Sequence, residues 1–164
     1  MVWEPCSANT YIHRGTHHCV CSKTPHEHLV DQEHARDSFE NLLFSVCRFY
    51  ELTGHAPESI TMIGYEFKRR RFTDLHRAAL RYPMHSFQFI GTPALTPNAP
   101  AGEAHAASMF VTDPYGCRGE LLAKKEERDP FAQGPYADGR CPPLEPLLDY
   151  CGESVYKGPL PWAA

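Results

Sequence analysis

The stretch ITMIGYEFKRRRFTDLHRAAL (residues 60–80) decides the fold of this chain, because an apolar run passes directly into an amphipathic one. The apolar run, residues 60–65, is too short for a helix and predicts a buried strand. The residues that follow predict a helix from about Phe67 to Arg81, which Pro83 ends. The apolar face of this helix consists of Phe72, Leu75 and Ala79.

A similar amphipathic segment precedes this stretch. Apolar side chains recur at helical spacing from Asp37 to about Thr53, and Gly54 ends the predicted helix. Asp37 or Ser38 can cap the helix, and Glu40 completes a capping-box pattern with Asp37.

A second strand, SFQFIG (86–91), follows the Pro83 boundary. The order helix, strand, helix, strand predicts a parallel sheet with right-handed crossovers. Residues 33–164 are therefore predicted to form a single α/β domain, and residues 1–32, which show no sustained periodicity, a poorly ordered or replaced segment. From residue 92 onward the chain is Pro-rich, which predicts an irregular tail containing a DPYG turn (113–116) and short helices within 117–128 and 142–152.

Composition restricts the possible functions. The net charge of −4 over 164 residues argues against general nucleic-acid binding, which needs a basic domain. No signal peptide is predicted from the N-terminal residues, and the sequence has no apolar run of the roughly 20 residues that span a bilayer. The seven cysteines stand at irregular spacings and are interpreted as reduced thiols, with Cys47 in the core and Cys117 and Cys141 incidental. These features predict a cytosolic or nuclear compartment, and we favour the cytoplasm.

The N-terminal segment invites a zinc hypothesis through the residues His17, His18, Cys19, Cys21, His26 and His28. The Cys-x-Cys spacing matches structural zinc sites poorly, so no metal site is assigned.

The order of the elements predicts where a ligand binds. In a parallel α/β unit both helices begin at the edge where the strands end, and ligands of open α/β sheets bind at that edge. Ser38, Glu40 and Asn41 therefore converge with Glu66 and the basic run that follows it. In that run, Lys68 and Arg71 are spaced with the apolar face and lean toward the sheet, whereas Arg69 and Arg70 point to solvent.

Alternative interpretations exist for several of these residues. Ser38 can be an ordinary helix cap, and Glu66 can neutralise Lys68 or Arg69. The KRRR run (68–71) also resembles a nuclear-import patch, but its place between a strand and a helix disfavours that use.

The same positions carry a resemblance to the ElyC/SanA/YdcF-type family, whose domain has no known function. SFENLLFS (38–45) resembles the family's Thr-x-Glu-Asn helix start, with Ser38 in place of Thr. Arg71 matches the family arginine, and Lys68 stands where the family usually has histidine. DPYGCRGELLAKKEERDPF (113–131) and GPLPW further resemble a fungal branch.

This resemblance implies a Rossmann-like three-layer fold with a ligand crevice at the strand ends. Bacterial members are associated with envelope biogenesis, and one has been linked to S-adenosylmethionine. The family domain begins with a Gly-rich strand-turn element that residues 1–32 do not match, which implies a shortened domain. Lysine at position 68 also removes the family histidine as a proton carrier.

Together these arguments predict a soluble protein that binds a small anionic or nucleotide-like ligand. A transferase or hydrolase reaction stays open, and neither a cofactor nor a catalytic residue is assigned. The alternative is a non-catalytic interaction protein or truncated remnant, whose exposed sheet edge would pair with a partner or a second copy. The predicted ligand-binding residues are Ser38, Glu40, Asn41, Glu66, Lys68 and Arg71.

Overall fold

The computed structural model describes residues 9–13, 18–21, 28–31, 34–94, 100–129, 136 and 139–163. The strands are β1 (Asn9–His13), β2 (His18–Cys21), β3 (His28–Asp31), β4 (Ser59–Tyr65) and β5 (Phe87–Thr92). The α-helices are α1 (Ser38–Thr53), α2 (Arg77–Ala79), α3 (Glu103–Thr112), α4 (Gly119–Glu127) and α5 (Glu145–Leu148). Short 3-10 turns cover Glu66–Lys68, Met84–Ser86 and Pro142–Leu144, and a π-helical segment covers Arg71–His76.

The strands form one five-stranded sheet in the order β3-β2-β1-β4-β5. Strands β1, β4 and β5 pair in parallel, whereas β1–β2 and β2–β3 pair antiparallel. The chain is therefore an α/β protein, as predicted, and its parallel strands β4 and β5 are connected through a helical segment.

Local sequence explains the start and end of α1. The side chain of Asp37 accepts a hydrogen bond from the backbone N–H of Glu40 at 2.7 Å, so Asp37 and not Ser38 is the cap. Gly54 ends the helix in the left-handed region, with φ of 76° and its N–H donated to the Tyr50 carbonyl. The predicted Asp37 cap and the Gly54 boundary are confirmed, but Glu40 accepts from the backbone N–H of Arg36 and not from that of Asp37, so the capping box is incomplete.

The helical segment after β4 lies where the sequence predicts it, but its winding changes along its length. A 3-10 turn at Glu66–Lys68 passes into the π-helical Arg71–His76 and then into α2. Such π-turns are frequent at functional sites. Here the π-turn buries Arg71, Phe72 and His76 on the side that faces the protein interior.

Two regions differ in secondary structure from the sequence-based expectations. Strands β1, β2 and β3 lie within residues 1–32, where no strand was predicted. Strands of four or five residues contain too little periodicity to be recognised in the sequence. Helix α3 was not predicted either, since prolines surround it and only Ala107 and Phe110 of its residues are buried.

The cysteine interpretation is wrong for four residues. Cys47 and Cys141 form one disulfide, with Cα atoms 5.3 Å apart, and Cys117 and Cys151 form another, with Cα atoms 5.6 Å apart. These partners are 94 and 34 residues apart in sequence, so spacing alone does not reveal the pairs.

The core lies between α1, the sheet and the helical segment that follows β4. C-terminal residues complete it: the indole N–H of Trp162 donates to the Leu80 carbonyl at 2.9 Å, and Arg81 donates to the Gly158 carbonyl at 2.7 Å. In the part of the chain that the structure describes, no helix combines the length and apolar character needed to cross a membrane.

Candidate functional site

A cavity of about 620 Å³ opens at the end of β4. The start of α1, the helical segment after β4, α3 and α4 surround it. Its described lining includes five cationic side chains and one carboxylate, together with an apolar wall. The cations are Arg36, Lys68, Arg71, Lys124 and Arg128, the carboxylate is Asp37, and the apolar wall includes Met62, Phe72, Met109, Phe110 and Leu121.

Four of the six predicted ligand-binding residues line this cavity, namely Ser38, Asn41, Lys68 and Arg71. They come from two helix starts about 30 residues apart in sequence, and the sheet brings them together at the edge that the topology predicts. Whether these residues bind a ligand stays a prediction.

Glu66, another of the six, is turned toward a neighbouring arginine. It is exposed, and its carboxylate accepts two hydrogen bonds from Arg69, at 2.6 Å from Nε and 2.7 Å from Nη2. Its side chain lies over Gly91 of β5, where a Cβ atom would collide with the carboxylate. The alternative interpretation of Glu66, as a partner for neighbouring basic side chains, therefore describes its position.

The helix phase separates the four basic residues as predicted. Arg71 is buried, with 9% of its surface accessible to solvent, and Lys68 is half-buried, whereas Arg69 and Arg70 are exposed. Arg69 nevertheless contacts the protein, since its Nη1 donates to the Phe89 carbonyl at 2.8 Å.

Arg71 makes an ion pair with Glu103 at the start of α3, with Nη2 and Oε2 3.0 Å apart. Both side chains are largely buried, yet Nε of Arg71 and Oε1 of Glu103 have no hydrogen-bond partner among the described residues. Burial lowers the pKa of Arg71 and raises the pKa of Glu103, although each partner's charge opposes the shift of the other. The pair is therefore under-bonded, and we call it the open pair.

A second charged group lies beside the cavity and is more densely bonded than the open pair, although Asp37 Oδ2 also makes no hydrogen bond among the described residues. Nζ of Lys125 donates to the Tyr115 carbonyl at 2.8 Å and lies 3.2 Å from Asp37 Oδ2 and 3.0 Å from Glu40 Oε1. Arg36 reaches Glu40 through its backbone N–H and its guanidinium, at 2.8 Å each. We call Arg36, Asp37, Glu40 and Lys125 the closed cluster.

The two carboxylates of the closed cluster respond differently to burial. For Glu40, burial opposes ionisation, but hydrogen bonds from Arg36 and the charge of Lys125 outweigh it and lower the pKa. For Asp37, burial outweighs the charge of Lys125 and raises the pKa. Glu40, the last of the six predicted residues, forms ion pairs with Arg36 and Lys125. It is not among the residues that line the cavity.

The DPYG turn packs against the closed cluster. Gly116 has φ of +63°, and its N–H donates to the Asp113 carbonyl at 3.1 Å, which closes the predicted turn. A Cβ atom at Gly116 would lie 2.6 Å from Asp37 Oδ2 and 3.0 Å from Lys125 Cε. The turn therefore requires glycine both for its backbone and for the space that the cluster occupies.

His76 is a residue that the sequence analysis did not assign to the site. It is 0% exposed, and its Nε2 lies 2.8 Å from the hydroxyl oxygen of Ser38. The sequence favours partial burial because His76 stands one position beyond the apolar stripe, but the π-turn rotates the residue fully inward. A signal for this change of winding is not evident in the sequence.

The N-terminal histidine and cysteine residues do not form a described metal site. His18, Cys19, Cys21 and His28 lie in β2 and β3, and His17 and His26 lie outside the described residues. Within the ranges that the structure describes, no group of three or more potential metal ligands occurs.

The comparisons with known proteins find an uncharacterised relative. Uncharacterized protein YOR238W of Saccharomyces cerevisiae is 30% identical over 158 residues, which cover 83% of this chain and 52% of the yeast protein. The chain thus spans about half the length of the curated relative it matches. No family model matches the chain, and no solved structure matches it. Membership of the ElyC/SanA/YdcF-type family stays a prediction.

Proposed function

We propose that this protein binds a small organic anion, of the phosphate-ester or nucleotide-like kind, in the cavity at the end of β4. The observation that carries the proposal is the composition of the lining, in which four cations lie outside the closed cluster and the one carboxylate, Asp37, belongs to it. The apolar wall next to these cations suits the organic part of the ligand, because most small-molecule sites combine apolar surface with a few charged groups.

Arg71 is the central residue of the proposed site. A guanidinium binds a phosphate or carboxylate most strongly through two parallel hydrogen bonds, and Arg71 contacts Glu103 while its Nε lacks a partner among the described residues. An anion that approaches Nε, or that displaces Glu103, completes the bonding of this buried charge. Lys68 adds a positive charge, which is close enough to Glu103 to oppose part of the rise in its pKa that burial causes.

Thermal shift and isothermal titration calorimetry test the proposal with inorganic pyrophosphate, nucleotides, sugar phosphates and S-adenosylmethionine as probes. We expect at least one phosphate-containing probe to stabilise the protein. Arg71→Ala and Lys68→Ala should reduce this stabilisation strongly, whereas Arg70→Ala, an exposed neighbour in the same basic run, should not. A folded wild-type protein that no probe stabilises contradicts the proposal.

A transferase or hydrolase reaction on the bound compound is part of the same proposal. A probe that binds is incubated with the protein and followed by phosphorus NMR for new products. Binding without conversion would restrict the proposal to a binding protein.

We also propose that the α/β chain adopts the Rossmann-like three-layer arrangement of the ElyC/SanA/YdcF-type family. The proposal is supported by the element order around β4 and by the matching positions Ser38, Glu40, Asn41 and Arg71. An experimental structure that places helices on one face of the sheet alone would contradict it.

The second candidate function is that of a non-catalytic interaction protein. It is favoured by the match to about half of the yeast relative and by β5, which lies at an edge of the described sheet. Analytical ultracentrifugation distinguishes the two candidates. Pairing of β5 with a second copy predicts a dimer that an Ile90→Pro substitution in β5 disrupts, whereas the first candidate predicts a monomer that binds the probe.

A further inference from the structure

Ser38 and His76 form a contact that neither helix capping nor core packing requires. Their side chains are hydrogen-bonded at 2.8 Å, although the residues stand 38 positions apart. Asp37 already caps α1, so the Ser38 hydroxyl is available for another role. Ser38 also lines the cavity. The hydroxyl group therefore connects a fully buried imidazole to the proposed ligand site.

The surroundings of His76 keep its imidazole neutral. The ring is enclosed by three aromatic rings, with centroid distances of 5.9 Å to Phe39, 5.1 Å to Phe72 and 4.5 Å to Phe110. Burial lowers the pKa of His76 well below its usual value, and the positive charges of Arg71 and Lys125 lower it further. A protonated imidazole is therefore disfavoured, which makes His76 a weak base for Ser38.

The unpartnered nitrogen of His76 indicates which tautomer is present. Nδ1 is buried and has no hydrogen-bond partner among the described residues. Buried N–H groups without an acceptor are rarer than buried acceptors with unused lone pairs. The hydrogen is thus favoured on Nε2, where the Ser38 oxygen accepts it. In this arrangement the hydroxyl hydrogen of Ser38 is not used by His76.

We propose that His76 is a positioning residue that donates its Nε2–H to Ser38, so that the Ser38 hydroxyl points its own hydrogen at an anion in the cavity. The inference rests on the proposed function, because it specifies how the same site holds its ligand. Ser38 supplies a neutral donor next to the charge of Arg71, a combination that suits an anion with several acceptor oxygens, such as a phosphate group. With the other tautomer, Ser38 would present lone pairs to the anion and repel it.

The tautomer is measured on the free protein, independently of any ligand. Two-bond proton–nitrogen NMR correlations distinguish an Nε2–H from an Nδ1–H imidazole, and the His76→Gln variant assigns the signals by their loss. We expect the neutral Nε2–H form at neutral pH, because burial and the charges of Arg71 and Lys125 lower the pKa of His76. The Nδ1–H form, in which Ser38 donates to His76 as an activated nucleophile would, overturns the inference.

Binding of inorganic pyrophosphate then tests the positioning role. Ser38→Ala should weaken binding by about tenfold, which corresponds to about 1.4 kcal/mol. Glutamine can donate from a nitrogen at a reach similar to Nε2, so His76→Gln should retain affinity within about threefold. His76→Leu, which cannot donate, should weaken binding as much as Ser38→Ala, and the double variant should be no weaker than either single variant.

The variants distinguish a positioning role of His76 from a packing role. Equal weakening by His76→Gln and His76→Leu assigns His76 a packing role and contradicts the inference, as does unchanged affinity in Ser38→Ala. Urea denaturation of each variant identifies any loss caused by unfolding, and if His76→Leu does not fold, the comparison of Ser38→Ala with His76→Gln decides. If wild-type protein does not bind pyrophosphate, the proposed function and the anion-orienting role of Ser38 both fail for this probe, and the tautomer measurement separately decides whether His76 donates to Ser38.

Discussion

The closed cluster and the open pair are two groups of buried charges on either side of the same cavity. In the closed cluster, Lys125 lies within 3.2 Å of two carboxylates and donates to a carbonyl, and Glu40 receives three hydrogen bonds from Arg36. In the open pair, one contact at 3.0 Å joins Arg71 to Glu103. Similar residue types at similar depth thus differ in how completely they are bonded.

We propose that this difference distinguishes charges that stabilise the fold from charges that bind a ligand. Transferring a charge from water into the protein interior costs several kcal/mol, and dense bonding offsets that cost within the folded protein. The lowered pKa of Glu40 reflects such an offset, whereas the raised pKa values of Asp37 and Glu103 reflect burial that the neighbouring cations do not fully offset. An anionic ligand would supply the missing bonds to Arg71. Three predictions test this distinction, and a fourth tests the buried His76 next to both groups.

The largest expected effect comes from Lys125→Met, which leaves Asp37 and Glu40 buried without their shared cation. We expect the free energy of unfolding to fall by about 3–5 kcal/mol, measured by urea denaturation. The matched control is Lys124→Met, one residue earlier in α4, whose side chain is 42% exposed and 3.6 Å from Glu120. An equal effect of the two substitutions would contradict a structural role for the closed cluster.

The second prediction concerns the space around the closed cluster. Gly116→Ala should lower the free energy of unfolding by about 2–3 kcal/mol, because a positive φ costs about 1–2 kcal/mol for alanine and the new methyl group collides with Asp37. Gly54→Ala is the control, since Gly54 also has a positive φ, of 76°, but nothing lies within 4 Å of its added Cβ. Equal losses would show that backbone strain alone acts at Gly116.

The third prediction is a pH dependence that originates at His76, whose proton is disfavoured by burial and by the charges of Arg71 and Lys125. The folded protein binds the His76 proton far less readily than the unfolded chain does. Below the usual histidine pKa of about 6.5 the unfolded state binds more protons, so stability should fall with decreasing pH by up to about 1.4 kcal/mol per pH unit. Urea denaturation between about pH 7.5 and pH 5 measures this slope.

His76→Gln is the control for this slope, because glutamine does not titrate. We expect the variant to lose most of the pH dependence over the same range. A slope that persists unchanged in His76→Gln would assign the effect to other groups. The pKa is lowered for Glu40 and raised for Asp37, so the contributions of these two carboxylates to the pH dependence of stability have opposite signs.

The smallest expected effect belongs to the open pair. Glu103→Gln removes the competing carboxylate, so binding of pyrophosphate should strengthen by about threefold to tenfold, measured by calorimetry. Stability should fall, because the amide oxygen can still accept a hydrogen bond from Arg71 but leaves the buried guanidinium without its counter-charge, so affinity is measured on the folded variant. Glu66→Gln, which alters an exposed acid paired with Arg69, should leave the affinity unchanged. Weaker binding in Glu103→Gln would show that Glu103 holds Arg71 in place rather than competing with the ligand.

Several parts of the site follow from local sequence patterns. The apolar run before Glu66 predicts β4, and the helical spacing after it predicts that Arg71 faces inward while Arg70 faces solvent, which burial confirms. The edge at which Ser38 meets Lys68 follows from chain topology alone, because both helices of a parallel unit begin where the strands end. These predictions depend on periodicity over neighbouring residues, which a single sequence contains.

Other parts depend on contacts between distant residues, and sequence patterns do not contain them. Glu103 pairs with Arg71 from another helix, and Lys125 reaches Asp37 and Glu40 from a helix that no local rule places beside α1. The disulfide of Cys47 and Cys141 spans 94 residues. In each case the partners are brought together by the packing of whole elements.

The sequence by itself determined the α/β class, the positions of α1 and β4, and the inward direction of Arg71, because backbone periodicity and capping are local properties. The tertiary structure decided which charges are bonded and which are left with unused hydrogen-bonding groups. It placed Glu40 in the closed cluster, turned Glu66 toward Arg69, and brought His76 beneath Ser38 through the π-turn. Burial and pairing of a charge depend on every element packed around it, so they are settled when those elements assemble.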